Sequence, residues 1–570
     1  PEFRTIGRFF FFFISENGGD EELVEQMFMK YFSRLRNGKM VVGMPLLEDQ
    51  GLGESKRVCI FRTHRVMNQL SPEMRVEYIR QFEDLMVKSY IRPADTSVPG
   101  KYYVSHLPVI NKDSLTHPLR IVFDSSQKTS NGKSLNDIQL KGKKLQNSLQ
   151  LVLIGSRIFE GMNSTDLSKM YLSMDMIDKH IPYQRTFMPT KDGKLMEVEM
   201  PTIIFGNTSS PFLAIRAMQE LASLENRRFP LAADIIRDAM YVDDVLYSLP
   251  VGELMKEASR QLQGIAESAQ LKFRKWASNV PEAIEMIPEE DKLIAIEKEI
   301  RDDEVSGKAG ILGLSWLIDS DELSIKMNKF RQLKEGEPLT LRFALSQIAT
   351  VYDAIGLLSP LFLTGRLIIK EIYKELLDNK PLKKRDKRLD ISLSEELRKL
   401  WCVWSEDLCA INDLKTSRWI RHVPGNRLSI IAFADASLDG TGSTIYSHSE
   451  GEGEIHVNLL MAKSNIKPSG GNWTIPKLEL KAMEKTVELA MDVKNAVQKT
   501  LKRGNCDQEV EVYFFSDSEI TLAWLQGNPN DRATFVRNRL NNIKKVCSKG
   551  NYYYIDTKLN PADLASRKCK

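Results

Sequence analysis

Residues 241–244 read Tyr-Val-Asp-Asp, two adjacent carboxylates set between the apolar stretches Ile-Ile-Arg-Asp-Ala-Met (235–240) and Val-Leu-Tyr-Ser-Leu (245–249). Paired acids between two strand-like segments predict the tip of a β-hairpin. Asp243 and Asp244 would repel each other across the turn, which is costly unless a divalent cation, the natural partner of clustered hard oxygens, neutralises them. The plain alternative is a solvated Asp-Asp turn, since the chain holds 76 Asp+Glu.

At 570 residues the chain is too long for one core and predicts roughly three to five domains. A net charge of +4 permits a polyanionic partner without demanding one. The cysteines Cys59, Cys402, Cys409, Cys506, Cys547 and Cys569 form no CxxC pair, which predicts a reduced intracellular chain without structural zinc. No stretch approaches the ~18–20 apolar residues of a membrane span. The run Phe-Phe-Phe-Phe-Phe-Ile at 9–14 is shorter than a signal-peptide core. It reads as a mistranslated pyrimidine-rich intron end.

Apolar residues at three- and four-residue intervals predict helices over 21–35 and 71–86, the second opened by Ser71-Pro72. Residues 102–110 and 119–124 read as strands, as does 310–316 between charged connectors at 281–300 and 322–338. Residues 340–377 read as largely helical, and the basic run from Lys380 to Arg388 as a linker. A helix carrying Trp401 and Trp404 follows, and a new pattern begins near Leu428. Helices and strands mix without regular alternation, so the predicted class is α+β.

A metal-dependent nucleotidyl transferase needs a third acid beside the pair, because two ions about 3.5–4 Å apart require several carboxylate oxygens. The candidate is Asp166, in Thr-Asp-Leu-Ser-Lys-Met-Tyr (165–171). Seven ordered blocks then carry a specific resemblance: 119–126, 134–137, 165–171, 205–216, 241–244, 274–279 and 312–316. In this order they resemble the reverse transcriptases of BEL/Pao long-terminal-repeat retrotransposons. The resemblance implies that Asp166, Asp243 and Asp244 hold two Mg²⁺ ions, with Mn²⁺ as the substitute. It implies that Tyr171 excludes a 2′-hydroxyl and that Arg120 meets the incoming triphosphate, with Lys112 and Lys275 as weaker candidates for that anion. Phe205 and Gly206 match the block lying against nucleotide and template, and the strand ending in Trp316 matches the primer grip; structural packing is an equal alternative for these.

A second set of acids follows. Residues 428–435 form an apolar run ending in Asp435; Ile-Pro-Lys-Leu-Glu (475–479) opens a helix with Glu479 in its first turn; 512–517 is a run ending in Asp517; Asn-Pro-Ala-Asp (560–563) ends in Asp563. Singly, each is an ordinary cap or surface acid. In this order they resemble the four metal ligands of ribonuclease H, as found behind the polymerase in the same elements. A mobile histidine found near the last acid in some relatives is missing: the last histidine is His456, and Tyr-Ile-Asp (554–556) stands where many relatives read His-Val-Pro.

The resemblance implies an α+β multidomain chain: an N-terminal extension over 1–45, partly unreliable or disordered; reverse-transcriptase fingers and palm over 46–280; primer grip, thumb and connection over 281–425; and an α/β ribonuclease H-like domain over 426–570. Implied partners are an RNA template, a DNA primer, an RNA/DNA hybrid and deoxynucleoside triphosphates, with no membrane and no oligomeric state set. The implied location is intracellular, in a cytoplasmic retroelement particle with nuclear access. Relatives sometimes carry a retrotransposon peptidase label, but Asp95-Thr96-Ser97 lacks the glycine an aspartic protease needs. The alternative from another class is a catalytically dead or domesticated copy that binds nucleic acid.

Overall fold

The computed structural model describes residues 18–47, 50–110, 119–293, 307–327, 329–376, 386–411 and 414–569. The Phe run, Lys112 and most of the basic run after residue 379 lie outside the described residues. Three large buried apolar clusters organise the chain.

The first cluster lies largely between residues 24 and 287. Its centre is an antiparallel sheet in the order Met240–Tyr241, Asp244–Leu249, Gly161–Leu167, Phe273–Ser278. Helices Ser210–Leu224, Pro230–Asp238 and Glu253–Glu267 bury their apolar faces in the same core. The strand-like reading of 235–240 is corrected here: only 240 and 241 are strand. Pro230 starts a helix whose buried Ala232, Ala233, Ile235 and Ile236 recur at helical spacing. A window opened at Ile235 sees only the end of that stripe.

The second cluster joins the sheet Lys308–Ile311, Leu314–Leu317, Glu322–Ile325, Lys415–Ser417 to helices Leu341–Ile348, Ser359–Leu376 and Glu395–Ala410. The predicted single strand at 310–316 is instead a hairpin, reversing at Leu312 (φ +44°) and Gly313 (φ +92°). Two successive positive φ values are the mark of a type I′ turn, but Leu-Gly is a weak written signal for one. Residues 322–325, expected to be connector, are a strand of the same sheet. The helical reading of 340–377 divides in two, and Gly356 in the gap sits so close to the Ala462 carbonyl that a Cβ would stand 1.8 Å from its oxygen.

The third cluster supports a five-stranded sheet in the order Glu454–Ile466, Gly440–Gly451, Arg427–Ala436, Glu511–Ser516, Asn551–Tyr554. The first three strands are antiparallel, and the last two run parallel to their neighbours. Ile430, Ala432 and Ala434 alternate inward and share a core with Val487, Ala490 and Val493 of the 29-residue helix Ile475–Arg503. This core also takes in Ile154, Ile158 and Phe159 from the chain just before the first sheet. Beside them the buried Arg418 pairs with Asp321 at 2.6 Å and donates to the carbonyls of Ser156 and Phe159. The buried Arg157 donates in return to the Arg418 and Leu459 carbonyls.

Candidate functional site

Tyr241 pairs with Asp244, leaving Val242 and Asp243 as a two-residue hairpin loop. Val242 has φ +61°, the sign a type II′ turn requires at its first central position, where glycine is usual. A β-branched residue there stores strain on the order of 1–3 kcal/mol. The neighbouring strand sets Asp166 directly opposite Asp244, and the Leu167 N–H donates to the Asp243 carbonyl at 2.7 Å. The three acids therefore meet at one end of one sheet.

Burial, then the charge of Asp166, raises the Asp243 carboxyl above its ordinary range. Burial, then Asp243 and Asp166, pushes Asp244 up to about 6. Asp244 lies open to solvent; the protein crowds this carboxyl without sealing it, and the like charges are the part a cation would reverse. Lys275 sits at the irregularity between Arg274 and Ala277, its Nζ 3.4 Å from Asp166 Oδ2.

Tyr171 packs its ring on Phe205 at 4.7 Å. Burial, then the charge of Asp243, pushes its phenol up to about 12. Phe205 is half exposed, and Gly206 has φ +106°, with a Cβ there only 2.3 Å from the Phe123 carbonyl oxygen. Neither the angle nor the space admits a side chain. Arg120 is exposed on the ribbon Ser105–Ile110/Leu119–Asp124, opposite Val109, and no ion pair joins it to the acids among the described residues. Asn136 escaped the sequence reading as an individual residue. It donates to the Gly206 carbonyl at 2.9 Å and accepts from the Thr208 N–H, tying two of the quoted blocks together.

In the third sheet Asp435 stands opposite Gly442. Glu479 is the fifth residue of Ile475–Arg503, just past the first turn expected for it, in a helix that carries Pro476, and Asp517 directly follows Glu511–Ser516. Ligand oxygens of Asp435, Glu479 and Asp517 lie within 4.8 Å of one another, and no other three Asp, Glu, His or Cys residues converge so closely among the described residues. The Asp166 cluster is the looser of the two. Burial, then Asp435 and Asp517, pushes Glu479 up to about 9. Burial is the main cause that pushes Asp435 up to about 6, against a hydrogen bond from Ser566. Glu479 Oε2 and Asp517 Oδ1 are buried without a hydrogen-bond partner. Crowded, unsatisfied carboxylate oxygens suit a divalent cation.

Asp563 lies at the edge of this cluster, in the short helix Ala562–Ser566, with its carboxylate 2.6 Å from Arg567. Ser566 and Arg567 were missed in sequence; their spacing of three and four residues from Asp563 on a helical segment was the available signal. Asp95, by contrast, accepts from the Ser97 N–H and hydroxyl in an exposed local turn.

The chain is a mixed α/β protein carrying two acid clusters, and its fold is similar to that of solved viral reverse transcriptases. The chain is similar to a foamy viral protease-reverse transcriptase (dRH) solved with double-stranded DNA, at TM-score 0.52 and 14% identity over 84% of this chain and 69% of that one. It is similar also to the foamy viral protease-reverse transcriptase solved with an RNA/DNA hybrid, at TM-score 0.54 and 14% identity. That alignment covers 95% of this chain and 61% of the other. Likeness at such identity shows the fold alone. No curated protein matches the chain. The matching family model is the Pao retrotransposon-like RNaseH-like domain, over residues 340–518. This match, over about a third of the chain, makes that segment similar to the RNaseH-like domain of Pao retrotransposons. Its RNaseH-like segment begins at the helix Leu341–Ile348, ahead of the five-stranded sheet, and stops just past Asp517. Domains of this kind generally use divalent metals, and the buried triad Asp435, Glu479 and Asp517 is present.

Proposed function

We propose that this chain is an RNA-directed DNA polymerase with ribonuclease H activity, its two chemistries served by separate carboxylate clusters. The observation that carries this reading is the register that faces Asp166 with Asp244, in a chain whose other acid cluster belongs to a different sheet. The first sheet and the segment 46–280 serve as palm and fingers, 281–425 as primer grip, thumb and connection, and 426–570 as the nuclease domain.

Asp166, Asp243 and Asp244 would hold the polymerase ions, and Asp435, Glu479, Asp517 and Asp563 the nuclease ions. Mg²⁺, or Mn²⁺ in its place, supplies charge neutralisation and an activated primer hydroxyl or water at these sites. The protein's own contribution is placement. Tyr171, backed by Phe205, closes the space a 2′-hydroxyl would need, and Gly206 lets the backbone approach nucleotide and template. Arg120, Lys112 and Lys275 supply cations for the triphosphate, Arg120 through a fork suited to phosphate oxygens. In the other cluster Ser566 orients Asp435 and Arg567 orients Asp563.

The relatives' double-stranded DNA and RNA/DNA hybrid are the partners proposed for this chain too, together with an RNA template, a DNA primer and deoxynucleoside triphosphates. An intracellular retroelement particle is the proposed setting. The test is Mg²⁺-dependent extension of oligo(dT) on poly(rA). Extension by the parent chain, and none by Asp243→Asn/Asp244→Asn, supports the polymerase reading; no extension by the parent sinks it.

A further inference from the structure

The five-stranded sheet buries one face on the helix Ile475–Arg503, through Ile430, Ala432, Ala434 and Phe514. A sheet covered on one side ordinarily turns polar residues outward on the other. Here the outward residues are largely aromatic. The register sets Ile431 beside Tyr446 and Tyr513, and Phe433 beside Phe515, which in turn lies beside Tyr553. Tyr446 meets Phe433 edge-on at 5.8 Å, Phe433 stacks on Phe515 at 5.3 Å, and Phe515 stacks on Tyr553 at 5.6 Å, so the rings touch in a row from strand to strand. The helix Ala562–Ser566 covers the Asp435 end of this face, where a Cβ on Gly442 would stand 2.4 Å from the Ala562 carbonyl oxygen. Away from that end Tyr553 is 47%, Val457 54% and Ile455 59% exposed.

Charge selects what can lie there. Among the described residues of these strands, Arg427 is the one lysine or arginine that shares the face, and Glu511 already holds it. Glu450 shares the face as well, and Glu452 and Glu454 sit at the hairpin tip beside it, all exposed to solvent. Ring faces and carboxylates both attract cations. The same glutamates repel the phosphates of a nucleic-acid strand, although the rings alone would suit stacked bases. A second copy of the chain would only bring the same acids again. We infer that this sheet face is a docking surface for a basic segment of a partner protein, whose arginines lie over the rings and glutamates while aliphatic side chains pack on Ile455 and Val457. The inference does not rest on the proposed function, since none of these side chains belongs to either acid cluster.

The experiment uses the full chain and, as probe, a fluorescein-labelled peptide of alternating arginine and leucine, followed by fluorescence anisotropy. The parent should bind it, and should bind a counterpart with glutamate in place of arginine at least about tenfold more weakly. Tyr553→Ser/Val457→Ser and, separately, Glu450→Lys/Glu454→Lys should each weaken binding by about tenfold, the scale of losing a central contact. Both should melt as the parent does, because all four side chains are exposed. No binding by the parent, equal binding of the acidic counterpart, or undiminished binding in either double variant overturns the inference. Binding of oligouridylate that weakens in Tyr553→Ser/Val457→Ser also overturns it, by making the face a nucleic-acid platform. A parent that sediments as a dimer, dissolved by the same double variant, overturns it in favour of a second copy.

Discussion

Glu479 offers the sharpest energetic prediction, because it is 7% exposed and shares its pocket with Asp435 and Asp517. Its carboxyl is pushed from an ordinary 4.5 up to about 9, by burial first and then by those two acids. In the unfolded chain the group ionises near its ordinary value, so between the two values the unfolded state binds fewer protons and metal-free stability falls as pH rises. The slope is about 1.4 kcal/mol per pH unit, which makes the accumulated cost at pH 7 about 3 kcal/mol. Glu479→Gln removes the ionisation, and in chelator the variant should be more stable than the parent by up to about that amount. The gain should shrink towards pH 5 and grow towards pH 8. Thermal or urea unfolding at these three pH values reads the difference, and Mg²⁺ should close it by binding only the folded parent. A variant less stable than the parent at pH 8, or a gap independent of pH, would refute this account of the pocket.

Val242→Gly should raise unfolding stability by about 1 kcal/mol, because it relieves positive-φ strain at the loop of the acid-bearing hairpin; a melting experiment showing a loss contradicts the turn assignment. Tyr171→Val should increase incorporation of ribonucleotides relative to deoxynucleotides by roughly tenfold or more, the scale of steric discrimination in a fitted pocket. An unchanged ratio in primer extension removes Tyr171 from that role. Arg418→Ala removes the buried donor to the carbonyls of Ser156 and Phe159 and the ion pair to Asp321, which keeps the Trp316 indole N–H, and should cost about 3–5 kcal/mol of unfolding free energy. A change within the noise of the melt would mean that this junction does not hold the cores together.

What could be read in sequence followed contact range. The pairing of Asp243 with Asp244 is written in adjacent letters, and the Asp435 strand and Glu479 helix carry periodicity and a proline start that local rules detect. Asp166 is different: its place opposite Asp244 depends on strand register across more than 70 residues, and only the ordered blocks suggested it. Helix Pro230–Asp238 is not legible in residues 235–240 because its apolar stripe begins at Ala232, ahead of that window. The hairpin Lys308–Ile311/Leu314–Leu317 was lost because its turn is Leu-Gly, without the Asn or Asp that usually announces two positive φ values. Nothing local marks Ile154, Ile158 and Phe159 as part of the third core, or Asp238 as the ion-pair partner of Lys499, since each is an ordinary apolar or acidic residue until tertiary packing assigns its partner.

The central claim is that one chain holds two independent carboxylate centres, and crossed inactivation tests it most directly. On a labelled RNA template with a DNA primer, Asp243→Asn/Asp244→Asn should cut hybrid RNA without extending the primer. Asp435→Asn should extend the primer without cutting the RNA. Loss of both activities in either variant, or survival of RNA cleavage in Asp435→Asn, would contradict it.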